Sequence, residues 1–218
     1  MPENHQKKAV FRCQIGLQAN EYVREQLLKS ERLTGPAMNP RNVLLLPGWQ
    51  NSGPDHWQSR WEHALGYQRV EQHDWQRPLR GDWIARLEDV LLACTEPAVL
   101  VAHSLGCMTV AAWAAHSKNT HLVKAALLVA PPDTAREDIC QMLPGWAPSL
   151  QKLPFQAVVM ASANDPFCSL PTARSMATAW GATFSDVGEL GHVNSDSDLK
   201  DWPAAHAVLT RLMLQGKS

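Results

Sequence analysis

A serine stands at the joint between a buried strand and a helix in the stretch Ala102-His-Ser-Leu-Gly106. The apolar run at 98–102 predicts the strand, and the residues from Leu105 onward predict the helix. A strand, a sharp turn and a helix, with small residues on either side of the serine, form a nucleophile elbow. Alanine stands at position 102, where the standard motif has glycine. The pattern predicts Ser104 as the nucleophile of an acyl transfer, and the alternative is an ordinary helix N-cap.

A serine hydroxyl is a weak nucleophile until a base takes its proton, so a histidine and a carboxylate must lie downstream. Proteins with this elbow place them in the order serine, acid, histidine. Asp165 comes just after the apolar run at 157–161, and His192 follows a glycine in a loop 27 residues further on. We therefore predict Asp165 as the acid and His192 as the base. An aspartate before a proline also commonly starts a turn, which is the alternative for Asp165.

Acyl transfer also requires N–H donors for the oxyanion that develops during the reaction. The first predicted strand, at 43–46, ends in Pro47-Gly48-Trp49-Gln50, where the glycine permits a sharp turn of the backbone. We predict the backbone N–H groups of Trp49 and Leu105 as the two donors of the oxyanion hole.

His56 lies in the neighbouring segment Gly53-Pro-Asp-His-Trp57, in which we expect a helix to begin at Pro54. The imidazole could line the site, or it could cap and pack at the start of this helix. The sequence leaves both roles open.

Short apolar runs alternate with segments of helical periodicity from Asn42 onward, which predicts a doubly wound α/β fold. Its mostly parallel sheet has helices on both faces, and ligands bind at the carboxyl ends of the strands. The proline-rich segment 131–154 is a candidate lid over that edge. Strands are expected at 43–46, 67–72, 98–102, 125–130, 157–161 and 183–186. Helices are expected at 54–65, 83–94, 105–116, 171–180 and 202–214.

The composition excludes several classes of function. The chain has 218 residues, 45% of them hydrophobic, with a formal net charge of -1. No long run of one sign favours nucleic acid or an anionic membrane as a partner. No apolar run approaches the roughly 20 residues of a membrane helix, and we expect no secretory signal. Five scattered cysteines without a C-x-x-C pair predict free thiols in a cytoplasmic protein. Without a phosphate-binding loop or a metal motif, we expect no cofactor and a small-molecule substrate.

Residues 1–37 differ from the rest because they are polar and show no strand pattern. They end in the breaker-rich linker Thr34-Gly-Pro-Ala-Met-Asn-Pro40. We expect a poorly ordered N-terminal extension at 1–37 and an α/β domain at 38–218, with Met38 as a candidate start. An ordered helix packed on the domain is the alternative for the extension.

The chain resembles the small α/β-hydrolases related to retinoblastoma-binding protein nine from about residue 42 to 212. The resemblance implies a serine hydrolase with Ser104, Asp165 and His192 as its triad, and it leaves esters, thioesters and amides open as substrates. The chain departs from the family at 198–200, where glycines are common. The matching motifs are Leu46-Pro-Gly-Trp49, Gly53-Pro-Asp-His-Trp57, Asp74-Trp75, Ala102-His-Ser-Leu-Gly-Cys107, Ala126-Leu-Leu-Val-Ala-Pro131, Asn164-Asp-Pro166, Trp180-Gly181, Gly191-His192 and Asp201-Trp-Pro203.

A binding function is the alternative from a different class. The peptide Leu92-Ala-Cys-Thr-Glu96 matches the Leu-x-Cys-x-Glu pattern that binds the retinoblastoma pocket. It falls at the end of a predicted helix, where it would have to leave the core to be read as an extended peptide. A catalytically silent binding module with a hydrolase fold is also conceivable, but the intact set of serine, acid and histidine argues against it.

Overall fold

The computed structural model describes residues 38–214 of the chain, and the expected extension at 1–37 lies outside the described residues. Within this range one parallel sheet has the strand order β2-β1-β3-β4-β5-β6. The sheet confirms the predicted doubly wound α/β architecture. Its strands are β1 (Val43–Leu46), β2 (Gln68–Arg69), β3 (Ala98–His103), β4 (Val123–Val129), β5 (Gln156–Ala161) and β6 (Thr183–Asp186).

Helices cover both faces of the sheet because the direction of the crossovers reverses after β2. Helices α2 and α3 contact each other on one face. Helix α6 contacts β3 and β4, and aromatic residues at its start meet those of α1 on the other face. The helices are α1 (Trp57–Leu65), α2 (Arg80–Leu92), α3 (Leu105–His116), α4 (Glu137–Met142), α5 (Leu170–Trp180) and α6 (Pro203–Leu214). Among the described helices, none has both the length and the hydropathy that crossing a bilayer requires.

Strands β1 and β3 both lie between other strands of the sheet and are buried along their whole length. They are apolar on both faces because helices cover both sides of a parallel sheet. Most of the tryptophans in the described part of the chain belong to this core rather than to the surface. The fully buried ones are Trp57, Trp61, Trp83, Trp113, Trp146 and Trp180.

Helix α1 begins at Trp57, so the expected start at Pro54 was wrong by one turn. The imidazole Nδ1 of His56 accepts a hydrogen bond from the backbone N–H of Gln58 at 3.1 Å. This contact satisfies one of the free N–H groups of the first turn, which makes His56 the N-cap. A proline two residues earlier is therefore part of the preceding loop.

Most other element ends lie within three residues of the prediction. Two larger differences concern strand β2 and the candidate lid. Strand β2 has two residues instead of six, because it lies at the edge of the sheet and pairs only with β1. The candidate lid at 131–154 contains helix α4 and buries Ile139, Leu143 and Trp146 in the core. The segment is thus anchored by apolar packing, and its role as a lid stays a prediction.

Gly106 allows the start of helix α3 to approach the end of strand β1. A Cβ atom at this position would lie 2.2 Å from the carbonyl oxygen of Leu46 and 2.9 Å from that of Pro47. Both oxygens belong to the backbone, so neither can move aside as a flexible side chain would. Any larger residue must push helix α3 away from the strand.

We expect Gly106→Ala to lower the free energy of unfolding by about 1–3 kcal/mol or more, since overpacking of this size shifts backbone. Gly81→Ala is the matched control, because its Cβ would meet nothing within 4 Å and it lies in helix α2. Alanine is favoured over glycine in helices by about 1 kcal/mol, so this control should be neutral or stabilising. Urea titration of the three proteins measures both effects, and equal stability of Gly106→Ala and wild type would contradict the expectation.

Candidate active site

Ser104 occupies the turn between β3 and α3 with φ 52° and ψ −122°. This conformation is rare for a residue with a side chain and costs about 1–3 kcal/mol. The backbone N–H of Ser104 donates to the carbonyl of Val129 at 2.9 Å, which ties the turn to β4. The Ser104 side chain makes no capping hydrogen bond to helix α3. Ser104 thus stands at the N-cap position without capping the helix through its side chain, which leaves the hydroxyl available for other contacts.

The structure brings the three predicted triad residues together. Ser104 Oγ lies 2.8 Å from His192 Nε2. His192 Nδ1 lies 2.9 Å and 3.0 Å from the two carboxylate oxygens of Asp165. The side chain of Asp165 is 2% exposed and that of His192 is 11% exposed. The carboxylate is thus almost fully withdrawn from water, where its attraction for an imidazole N–H is strong.

These contacts fix the imidazole tautomer. A carboxylate can only accept hydrogen bonds, so the neutral ring carries its hydrogen on Nδ1. His192 Nε2 is then the free acceptor, and it faces the Ser104 hydroxyl. The arrangement can take the serine proton while Asp165 stabilises the imidazolium that forms.

Asp165 also has the turn role that the sequence left open. Its Oδ1 accepts a hydrogen bond from the backbone N–H of Phe167 at 2.9 Å. The Phe167 ring in turn packs edge-on against the His192 ring, with centroids 4.5 Å apart. Asp165, its turn and the His192 ring therefore form one packed unit.

Two polar side chains join the loop of the acid to the loop of the base. Asn164 Oδ1 accepts from the backbone N–H of Gly191 at 2.7 Å and from Ser162 Oγ at 2.8 Å. Ser162 Oγ accepts from the N–H of Leu190 at 2.9 Å. These contacts bring the segment before His192 to the carboxyl end of β5, where Asp165 lies.

The loop that carries Trp49 lies against the nucleophile. A Cβ atom added to Gly48 would lie 2.7 Å from Ser104 Cβ and 3.2 Å from Ser104 Oγ. In the described part of the chain, the backbone N–H of Trp49 has no acceptor. Leu105 is the first residue of α3, where N–H groups lack partners within the helix. Among residues 38–214 the N–H of Leu105 likewise has no acceptor outside its helix. The role of both amides as oxyanion donors stays a prediction.

Sequence reasoning missed Gln58, a fully buried residue of helix α1. Its Nε2 donates to the carbonyls of Leu46 at 3.3 Å and Val101 at 3.0 Å, and its Oε1 accepts from Ser52 Oγ at 2.8 Å. The amide therefore joins the carboxyl ends of β1 and β3 beneath the site. A position beside Trp57 on the buried face of a helix is the signal that could have found it.

Besides capping α1, His56 packs against His103, the residue that precedes Ser104. It is 3% exposed, and its ring centroid is 4.7 Å from that of His103. Burial lowers the pKa of His56 to about 3, with further lowering by the charges of Arg69 and His192. The structure supports the capping role that the sequence left open. No cluster of His, Cys, Asp or Glu within residues 38–214 is arranged to hold a metal ion.

The α/β-hydrolase class of serine enzymes is defined by an elbow serine on a parallel α/β sheet. The serine contacts a histidine, and the histidine contacts a buried carboxylate. The sequence model described as serine hydrolase matches residues 43–211. The chain therefore belongs to the serine hydrolase family, as predicted. The narrower resemblance to retinoblastoma-binding protein nine stays a prediction.

Solved structures show the same fold. A Pectobacterium atrosepticum protein described as a ydeN-like hydrolase is 28% identical, with 78% of this chain and 89% of that chain covered at a TM-score of 0.70. The ydeN gene product of B. subtilis is 23% identical, and the match covers 79% of this chain and 98% of that chain at a TM-score of 0.64. The esterase RhEst1 from Rhodococcus sp. is 16% identical, and the match covers 83% of this chain and 94% of that chain at a TM-score of 0.58. A comparison with curated proteins finds no match.

The buried imidazole of His56 predicts a loss of stability in mild acid. In the unfolded chain its pKa is about 6.5, so the unfolded state binds the proton more readily than the native state does. Its stabilising contribution is present above about pH 6.5 and is lost as the pH falls toward about 3. Between pH 7 and pH 5 this amounts to about 2 kcal/mol in the free energy of unfolding.

The variant His56→Asn tests this expectation, because asparagine is a good N-cap but does not titrate. Urea titrations at pH 7 and pH 5 should show a smaller loss of stability in the variant than in wild type. An equal loss in both proteins would show that His56 does not contribute to the pH dependence.

Proposed function

We propose that the protein is an esterase-like hydrolase that cleaves a small ester, thioester or amide through an acyl-enzyme on Ser104. The observation that carries the proposal is the 2.8 Å contact between Ser104 Oγ and His192 Nε2. Contact at this distance allows direct proton transfer from the hydroxyl to the ring. The strained turn points the same hydroxyl away from helix α3, where a serine with a capping role would have bonded.

In the first half of the reaction, His192 Nε2 takes the proton of Ser104 Oγ while Oγ forms a bond to the acyl carbon. The electron pair of the carbonyl moves onto its oxygen, which the N–H groups of Trp49 and Leu105 stabilise. The bond to the leaving group then breaks, and His192 gives its proton to that group. The products of this half are the free alcohol, thiol or amine and the acyl-enzyme.

In the second half, water replaces the leaving group. His192 takes a proton from the water as its oxygen attacks the acyl carbon, and the same two amides hold the second oxyanion. When the bond to Oγ breaks, His192 returns the proton to Ser104. Asp165 keeps its charge throughout and stabilises each imidazolium.

The surroundings of the triad support a small apolar acyl or aryl group as substrate. The Phe167 ring packs on His192, and the half-buried Trp49 lies in the loop against Ser104. Apolar walls with a few placed polar groups are typical of small-molecule sites. The neighbour from Pectobacterium atrosepticum is described as a hydrolase, which agrees with the proposal. A screen of short-chain aryl esters, thioesters and aminoacyl amides would separate the three substrate classes.

A silent binding module remains the competing function, and the peptide at 92–96 offers it little support. Leu92 is 58% exposed, so the segment need not leave the core, contrary to expectation. The N–H groups of Ala93 and Cys94 bond back to carbonyls of helix α2, so the peptide is not extended. Recognition as an extended peptide would first require this turn to open.

We further propose a cytoplasmic location. Cys94, Cys107, Cys140 and Cys168 are free thiols in the described part of the chain. Free thiols of this number are typical of a reducing compartment.

A fluorophosphonate probe should label Ser104 covalently, because a serine paired with a neutral imidazole is nucleophilic near pH 7. Intact mass should rise by one adduct, and peptide mapping should place it on Ser104. Ser104→Ala should abolish both labelling and hydrolysis without changing the circular dichroism spectrum. Ser169→Ala is the matched control, since Ser169 is an ordinary helix cap, and it should label like wild type. An unlabelled wild-type protein without turnover would favour the binding module.

His192→Ala should lower kcat by several orders of magnitude with the fold intact, because within residues 38–214 His192 is the base that contacts the serine hydroxyl. Asp165→Asn should lower kcat by a similar or smaller factor, since the acid only orients the ring and stabilises its charge. Steady-state kinetics on the best ester of the screen measure both. Near-normal turnover of His192→Ala would exclude it as the base.

A further inference from the structure

We propose that His103 is a positioning residue that holds the main chain of His192 and thereby keeps the base aligned with Ser104. The inference rests on the proposed function, in which His192 is the base. His103 is the last residue of β3 and directly precedes the nucleophile. The contact therefore joins the strand end that carries the nucleophile to the loop that carries the base.

The contact is a hydrogen bond whose direction the acceptor fixes. His103 Nε2 lies 2.9 Å from the backbone carbonyl oxygen of His192. Since a carbonyl oxygen can only accept, His103 Nε2 carries the hydrogen. His103 is 5% exposed, and its burial, with His56 and His192 nearby, holds its pKa well below the usual range. The ring therefore stays a neutral donor, which can contact the loop without adding a positive charge beside the base.

The loop of the base requires such an anchor because its backbone is irregular. Val193 has φ 52° and Gly191 has φ 58°, so both neighbours of His192 lie in the left-handed region. This region is strongly disfavoured for a β-branched residue, and surrounding contacts must enforce it. The carbonyl of His192 accepts a hydrogen bond from His103 Nε2. The next carbonyl, that of Val193, accepts one from Trp57 Nε1 at 2.9 Å. Two side chains thus hold the strained segment from behind.

The position of His103 gives the contact a function beyond packing. Ser104 Oγ meets His192 Nε2 at 2.8 Å, and the residue before the serine holds the carbonyl of the same histidine. Base and nucleophile are therefore fixed relative to each other at two points, through the side chain and the backbone of His192. If the second point is lost, the ring can shift while Asp165 still contacts it. Misplacement of a reacting group by about 1 Å can cost a hundredfold in rate.

A purely structural histidine would serve only to fill space beside His56 and Trp57, whose rings it contacts edge-on at 4.7 Å and 6.1 Å. Phenylalanine would fill that space without a donor, whereas the amide nitrogen of glutamine can reach the place of Nε2. The pair His103→Phe and His103→Gln therefore separates packing from donation.

The experiment makes three measurements on the full chain. Steady-state kinetics with 4-nitrophenyl acetate give kcat and KM, a time course gives the rate of fluorophosphonate labelling, and NMR follows the downfield proton resonance of His192 Nδ1. His103→Phe should lower kcat and the labelling rate about tenfold or more, with little change in KM, and should broaden or remove the resonance. His103→Gln should recover most of each. His116→Gln, at an exposed histidine, is the control that should match wild type.

Wild-type rates and resonance in a folded His103→Phe would overturn the proposal, as would equal losses in the Phe and Gln variants. If His103→Phe does not fold by circular dichroism, His103→Asn replaces it, since its shorter amide cannot reach the carbonyl. A wild-type protein that neither labels nor hydrolyses would refute the proposed function instead. The resonance of His192 would then still report whether His103 positions the ring.

Discussion

The backbone conformation of Ser104 is the constraint on which the rest of the site depends. Its φ of 52° is unfavourable, and the neighbouring structure must enforce it. Gly106 lets helix α3 reach the end of β1, and Gly48 lets the next loop lie against the serine. The buried amide of Gln58 joins the two strand ends below them. The strain at Ser104 is thus balanced by close packing of the surrounding backbone. That packing requires residues as small as glycine at positions 48 and 106.

His192, the proposed base, also has a position that the surrounding structure must enforce, but different contacts hold it. His192 lies in a loop without regular secondary structure, between two residues of positive φ. No α-helix begins at His192 to set its direction, so side chains hold this segment. Asp165 contacts the His192 ring, His103 bonds the His192 carbonyl, and Trp57 bonds the carbonyl of Val193. A reactive group on an irregular loop needs such support from rigid elements if its position is to be exact to a fraction of an ångström.

Local sequence patterns were sufficient to predict the alternating elements and the residues that meet at the carboxyl edge of the sheet. Ser104, Asp165 and His192 could be proposed as a triad because motif and chain order constrain them, and the structure places their side chains in contact. Their catalytic roles stay predictions. The start of α1 could not be predicted from the sequence. Pro54 is a favoured first residue of a helix, but a single hydrogen bond to the His56 side chain sets the start at Trp57 instead. The contacts of Gln58 and His103 were equally hidden. The contact of Gln58 with Val101 spans 43 positions of the chain, and that of His103 with His192 spans 89. Hydrophobic periodicity is a local signal and carries no information over such separations.

The separation of 88 residues between Ser104 and His192 has a consequence for the chain during its synthesis. At typical rates of translation, the histidine is added on the order of ten seconds after the serine. During that time the nascent protein has the proposed nucleophile without the proposed base, and the strands from β4 to β6 are still being added. The histidine that contacts the hydroxyl is thus among the last parts of the site to be made. Turnover would therefore appear as a late and all-or-none event, which makes it a sensitive reporter of whether newly made molecules have reached the native state.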